Sequence, residues 1–180
     1  MKFDGVNWQI FNDPELRVWA MDCEFDNTGV IWIGTKREGI VTLENETLTL
    51  IPESIFNYPT VKISSVAKDE FGNIWFSHMP DSAKRSGVSF WDGNIFNNTF
   101  LGSALNNVNH IHIDNTNSKW ISTWEGFVWF DEQNFTQTFT ELNSLLSSNI
   151  INSSVRDLNG VVWITTEGSG LNKFKVNNLK

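Results

Sequence analysis

The chain has 180 residues, 40% of them hydrophobic, with nine Trp and 14 Phe but a single Tyr, which is enough apolar mass for one well-packed domain. Its net charge of −8 and pI near 4.8 withhold the basic face that phosphate contacts require, so nucleic acid and anionic membrane surfaces are not expected as partners. No apolar run reaches the roughly 18 residues of a membrane span, and no membrane insertion is expected.

Taken in chain order, Met1–Gly5 lacks an apolar leader core, so export would need a leader supplied elsewhere. Residues 1–11 are similar to Phe90-Trp-Asp-Gly-Asn-Ile-Phe96 and read as the end of one strand, a turn and the next strand. An extended segment follows at Val18–Phe25. It carries Cys23, the single cysteine, which permits no intramolecular disulfide and reads as a small buried apolar residue. Comparable extended segments recur at Val61–Lys68, Val108–Ile113 and Ile150–Arg156. Each runs into a tight turn: Asp26-Asn-Thr-Gly29, Asp69-Glu-Phe-Gly72, Asp114-Asn-Thr-Asn117 and Asp157-Leu-Asn-Gly160. Asp at the first turn position accepts backbone N–H bonds from just ahead, and the fourth position wants the left-handed conformation that Gly adopts freely and Asn tolerates.

A second strand comes next at Val30–Gly34, Asn73–Ser77, Lys119–Ser122 and Val161–Thr165. These runs are apolar without alternation, as expected where both faces of a sheet are covered. A polar loop ending in Gly39, Gly87, Gly126 or Gly170 leads to a third apolar strand, and a more polar fourth strand follows, as in Thr47–Ile51 and Phe135–Phe139. The single helical candidate, Glu141–Leu146, is too short to stand alone.

These segments form an internal repeat. Asp26, Asp69, Asp114 and Asp157 each stand six residues before a tryptophan, and those tryptophans, Trp32, Trp75, Trp120 and Trp163, are 43, 45 and 43 residues apart. The expected architecture is an all-β propeller of four blades, each about 43 residues and four strands, in one domain spanning residues 1–180. The repeats fall at about 18–60, 61–107, 108–149 and 150–180 plus 1–17, with the N-terminal strand completing the C-terminal blade. Closure within one chain gives a four-bladed monomer, closure across a homodimer gives eight blades, and excision from a longer array of repeats is the third alternative. The four repeat tryptophans are expected as buried wedges, whereas Trp19, Trp91, Trp124 and Trp129 break the repeat and are less obliged to the core.

The pattern Asp-x-x-Gly-x-x-Trp-[Ile/Phe]-x-[Thr/Ser], followed by Gly and an apolar strand, resembles the two-component regulator propeller repeat. The best matches are Asp26–Thr35 and Asp157–Thr166. That resemblance implies a β-propeller and a role like that of the periplasmic sensor regions of hybrid two-component regulators in Bacteroidetes, which perceive glycans or other extracellular ligands. The chain itself carries no kinase or DNA-binding segment. Gly160–Glu167 is also similar to repeats of streptogramin B lyases, propellers that use His, Glu and magnesium, which implies a metal-assisted lyase or hydrolase as the alternative.

Candidate site residues lie on the loops between second and third strands, which open on the same face as the blade-to-blade connections. Arg37, Glu38, His78, Trp124, Glu125 and Glu167 are the candidate ligand-binding residues, and the long loop after His78 adds to them because extra length at one repeated position points to function. The partner expected there is a small molecule or glycan, or another protein; no cofactor is expected. Exposed indoles suit sugar stacking, and carboxylates and amides suit hydroxyl groups. His110 and His112 share one strand face with Asp114 and are weaker candidates as metal ligands, while His112 with Glu125 is a conceivable acid–base pair. Phosphate loops and Gly-x-Ser-x-Gly elbows are lacking.

Overall fold

The computed structural model describes residues 1–11, 13, 16, 18–56, 62–79, 86–99, 107–131 and 136–175. Part of the long loop after His78, and Val61, Phe135 and Val176 among the expected strand residues, lie outside them. The described chain is almost wholly strand. A short hairpin, β1 (Lys2–Phe3) and β2 (Trp8–Gln9), comes first. Three antiparallel sheets of four strands follow in strict chain order: β3 (Ala20–Phe25), β4 (Ile31–Thr35), β5 (Ile40–Glu44) and β6 (Thr47–Leu50); then β7 (Ile63–Lys68), β8 (Ile74–His78), β9 (Gly87–Trp91) and β10 (Phe96–Thr99); then β11 (His110–Ile113), β12 (Lys119–Ser122), β13 (Phe127–Phe130) and β14 (Thr136–Phe139). The fourth sheet has three strands, β15 (Ile151–Arg156), β16 (Val161–Thr166) and β17 (Gly170–Lys175). One helical turn, α1 (Glu53–Phe56), is the helix among the described residues; Glu141–Leu146, expected as the helical candidate, forms turns.

The expected completion of the last sheet by the N-terminal strand is not what the structure shows. β1 and β2 pair with each other, Lys2 opposite Gln9 and Phe3 opposite Trp8, and the Phe3 and Trp8 rings stack at 4.9 Å. A two-residue strand with its own hairpin partner gains its bonds locally, without the loop-closure cost of reaching the far end of the chain.

Each repeat turn does what its residues dictate. Gly29, Gly72 and Gly160 have φ of 92°, 87° and 76°, and Asn117 takes the same place at 59°. The aspartates accept the backbone N–H groups ahead of them, as from Val30, Asn73, Ser118 and Val161. They also reach the indole six residues on: Trp32 Nε1 donates to Asp26 at 2.9 Å, Trp75 to Asp69 at 2.9 Å, Trp120 to Asp114 at 2.8 Å and Trp163 to Asp157 at 3.0 Å. A buried indole needs a hydrogen-bond partner, and this one comes from the turn that launches its own strand.

The core is a series of sheet-to-sheet seams. Trp32 and Ile40 of the first sheet pack on Ile63, Val66, Ile74 and Phe76 of the second. Trp75 and Val88 pack on Val108, Ile111, Ile121 and Val128 of the third. Trp120, Phe127, Trp129 and Phe139 pack on Ile151, Val162 and Ile164 of the fourth. Each repeat Trp thus points forward into the following sheet. Every residue of β8, β12 and β13 is buried, which accounts for their lack of alternation. Trp129 and Trp91 join these seams despite breaking the repeat: Trp129 is 7% exposed, and Trp91 lies 5.8 Å from Trp32.

The inner strands run side by side in series, β3 beside β7, β7 beside β11 and β11 beside β15, and no comparable contact joins β15 to β3 among the described residues. Among the described residues, the first and last sheets therefore each have one face on which no further sheet packs. Cys23, expected in the core, is exposed on the first of these. Trp163, expected as a wedge like the others, is only half-buried on the second, with Lys173 Nζ 5.4 Å from its ring centroid.

Candidate functional site

Equivalent positions of the inner strands are bonded across the seams. Asp22 Oδ2 accepts Ser65 Oγ at 3.0 Å and Val66 N at 2.9 Å, Ser65 Oγ accepts Ile111 N at 3.3 Å, and His112 Nε2 accepts Arg156 N at 3.1 Å. The inner strands are thereby held in one direction and in near register, so the loops after β4, β8, β12 and β16 share one end of the assembly. In three of the four, a buried threonine builds the turn. Thr35 Oγ1 donates to Gly39 O and accepts Glu38 N; Thr123 Oγ1 donates to Gly126 O and accepts Glu125 N; Thr166 Oγ1 donates to Gly170 O. With its hydroxyl satisfied inside the turn, each loop projects its middle residues: Arg37, Trp124, Glu125 and Glu167 are exposed and Glu38 is half-buried.

Two indoles stand on this end. Trp19 is 52% exposed, with Arg37 Cζ 4.8 Å and Lys36 Nζ 5.2 Å from its ring, and Lys36 N donates to Trp19 O at 2.9 Å. Trp124 is 46% exposed, and its Nε1 donates to Asn109 Oδ1 at 3.2 Å. Asn109 is itself tied to the next sheet through Nδ2 to Ile151 O at 2.7 Å. The structure thus joins Arg37 to Trp19 and Trp124 to Asn109, while Glu38, Glu125 and Glu167 stand on three separate turns. Asn109 escaped the sequence reading because an Asn in an Asn-rich chain carries no signal of its own.

His78 is placed elsewhere. It ends β8, is 1% exposed, and its Nε2 lies 2.6 Å from Ser89 Oγ, so it supports the sheet beneath the loop face. Burial pushes its pKa down to about 3 from 6.5. The unfolded chain takes up this proton near pH 6.5 and the folded chain does not, so stability is full above that pH and falls progressively as pH drops toward 3. His78→Gln is expected to remove most of this loss between neutral pH and about pH 4, as read from urea melts at the two values.

His110 and His112 are both pushed below the usual histidine range by burial. His112 Nε2 is taken by Arg156 N, and the Asp114 carboxylate by Trp120, Thr116, Ser118 and Arg156. Among the described residues no group of three or more His, Cys, Asp or Glu gathers as metal ligands do.

Serial four-stranded antiparallel sheets with inner strands side by side define a propeller-like class of fold. No protein-family model matches the sequence, and no match is found among curated proteins. Among solved structures, the extracellular domain of the hybrid two component system BT3049 from B. thetaiotaomicron superposes with a TM-score of 0.73 at 17% identity, over 98% of this chain and 24% of that one. The extracellular domain of the one component system BT4673 from the same organism gives 0.70 at 19% identity, over 87% and 24%. Virginiamycin B lyase from Staphylococcus aureus gives 0.65 at 12% identity, over 95% and 60%. The chain therefore spans about a quarter of the extracellular domains it matches. At these identities the likeness is one of fold.

Proposed function

We propose that the chain is a binding module of the sensor-propeller kind, its four sheets serving as four consecutive blades and its loop end as the binding surface. The ligand is a glycan or other small molecule, or a segment of another protein, met by Arg37, Glu38, Trp124, Glu125 and Glu167, with Trp19 and Asn109 added and His78 bracing the sheet from below. The observation that carries this reading is the pair of exposed indoles, Trp19 and Trp124, each held by a polar neighbour on the same end of the molecule. Fixed aromatic faces beside amides, carboxylates and a guanidinium suit sugar rings, which offer apolar faces for stacking and hydroxyls for hydrogen bonds. Placement outside the cytoplasm is part of the same proposal. It accords with the extracellular neighbours, and no helix among the described residues is long and apolar enough to cross a membrane.

The metal-assisted lyase or hydrolase alternative is supported by the resemblance of Gly160–Glu167 to lyase repeats and by likeness of fold. Its candidate base, His112, faces Arg156 N across a seam, and Glu125 projects from the loop end. Thermal-shift screening against metals, glycans and peptides separates the readings. A glycan or peptide is expected to raise the melting temperature, and Trp124→Ala with Arg37→Ala is expected to abolish the shift while leaving the unliganded melt in place. A shift that survives both substitutions would place the site elsewhere. A shift by metals alone would favour the lyase reading.

A further inference from the structure

The seam between the third and fourth sheets encloses polar side chains that the protein itself leaves unpaired. Among the described residues, the buried side-chain nitrogens and oxygens without a hydrogen-bond partner are His110 Nδ1, Ser122 Oγ, Ser154 Oγ and Arg156 Nε. The last belongs to the guanidinium bonded to Asp114 at the turn end of the seam. The other three meet at the loop end. His110 stands opposite Ser122 in the ladder, so their side chains share a face, and alternation along β12 makes it the face of Trp120, which packs into this seam. Ser154 stands opposite Ile164, which lines the same seam from the fourth sheet. The seams share one register: Asp22 accepts Val66 N, Ser65 Oγ accepts Ile111 N and His112 accepts Arg156 N, each reaching one place further along the next inner strand. On that register His110 lies against Ser154. Ser122 is 0% and Ser154 4% exposed.

The same places in the preceding seam are closed by the protein. Ser77, placed as Ser122 is, has its Oγ 2.7 Å from both Ser64 Oγ and Ser65 N. Ser65, placed as His110 is, donates to Asp22 and accepts from Ile111. Where the fourth sheet has Ser154, the second and third have Val66 and Ile111, which stand opposite Phe76 and Ile121 and fill their seams with branched apolar side chains. Serine is smaller than either and adds a hydroxyl. It leaves room where a branched side chain would pack, on the scale of the roughly 30 Å3 that a water takes.

The three polar atoms select the guest. Each hydroxyl donates or accepts, and a neutral imidazole nitrogen does either according to its tautomer. Burial holds His110 below the usual histidine range, so the ring is neutral at neutral pH, and the Asp22 carboxylate on the same row would repel an anion. What fits is a neutral molecule that both donates and accepts. We propose that the loop end of the third seam is an internal hydration site, in which one ordered water joins His110 Nδ1, Ser122 Oγ and Ser154 Oγ across the two sheets. Three partners are the usual complement of a buried water. The site lies one residue below both supports of Trp124: Asn109, which accepts its indole, precedes His110, and Thr123, which builds its turn, follows Ser122. The water thus braces the loop end from inside, whatever that end binds.

Water-selected Overhauser spectra of the intact, isotope-labelled chain test this. The expected result is cross-peaks from a long-lived water to the His110 ring and to the amide protons of Ser122 and Ser154, with the rotating-frame sign that distinguishes proximity from hydroxyl exchange. Ser154→Val gives the fourth sheet the residue that the second has at this place, and is expected to remove those cross-peaks while the circular dichroism stays that of the wild type. Ser122→Ala keeps the room and removes one partner, so the water is expected to leave about tenfold faster. This second variant carries the test if Ser154→Val does not fold. Three results overturn the proposal: cross-peaks missing from the wild type, cross-peaks that survive in folded Ser154→Val, or a water held as long by folded Ser122→Ala as by the wild type.

Discussion

Replacing Trp120 by alanine is expected to destabilise the chain by about 3–5 kcal/mol in urea melts. The side chain is 1% exposed, stacks on Phe127 with ring centroids 5.4 Å apart, lies 6.1 Å from Trp129, and stands in the seam with Ile151, Val162 and Ile164. Truncation removes one of the largest buried surfaces in the molecule and leaves a cavity flanked by two sheets, each fixed by its own ladder, so collapse recovers little. It also strands the Asp114 carboxylate without its indole donor. Trp163→Ala makes the control: the same repeat position, half-buried, is expected to cost about 1–2 kcal/mol. Equal losses at the two positions would contradict the seam assignment.

Asp114→Asn is expected to cost about 3 kcal/mol. Oδ1 accepts Thr116 N, Thr116 Oγ1 and Ser118 N, and Oδ2 accepts Trp120 Nε1 and Arg156 Nη1, both at 2.8 Å. An amide has one acceptor oxygen, and its NH2 group would face donors. Burial alone pushes the Asp114 pKa up, but the indole, hydroxyl, guanidinium and backbone donors outweigh it and hold the carboxyl below its ordinary value of 3.8. The sign follows. The folded pKa is depressed, so this stability is present above about pH 4 and is lost as pH falls through the folded value. The Asn variant is expected to lose less on acidification than the wild type, and a parallel pH–stability curve for the two would contradict the role given to this carboxylate.

Much of this was legible in the chain. Asp at the first and Gly or Asn at the fourth turn position declared the hairpins, and the Trp spacing declared the repeat and the order of the sheets. The bond from Asp to Trp was visible as a spacing but not as a contact, because residues six apart touch only when the turn between them is closed. Cys23 and Trp163 were read as buried because their strands look like the middle ones. Their exposure depends on which sheets have neighbours, which no local pattern encodes. Trp91 and Trp129 were read as freer than they are for the converse reason: a residue outside the repeat still packs when a covered face surrounds it. His78 was drawn to the site by the long loop beside it, yet all of β8 is buried, so alternation gave no clue to its inward direction. At the loop end the position of the short turns was legible from the repeat, while the pairing of Arg37 with Trp19 and of Trp124 with Asn109 needed the strands brought into register.

Hydrogen exchange at the nine indole Nε1 positions, followed by proton–nitrogen NMR at a dilution where the chain is single, tests the central arrangement most directly. The indole protons of Trp32, Trp75 and Trp120 are expected to exchange only through global opening, Trp163 to exchange faster, and Trp8 and Trp19 to exchange fastest. Trp163 as protected as Trp120 in the dilute chain, or Trp120 exchanging as fast as Trp19, would contradict a series of tryptophan-wedged sheets that ends on an open face.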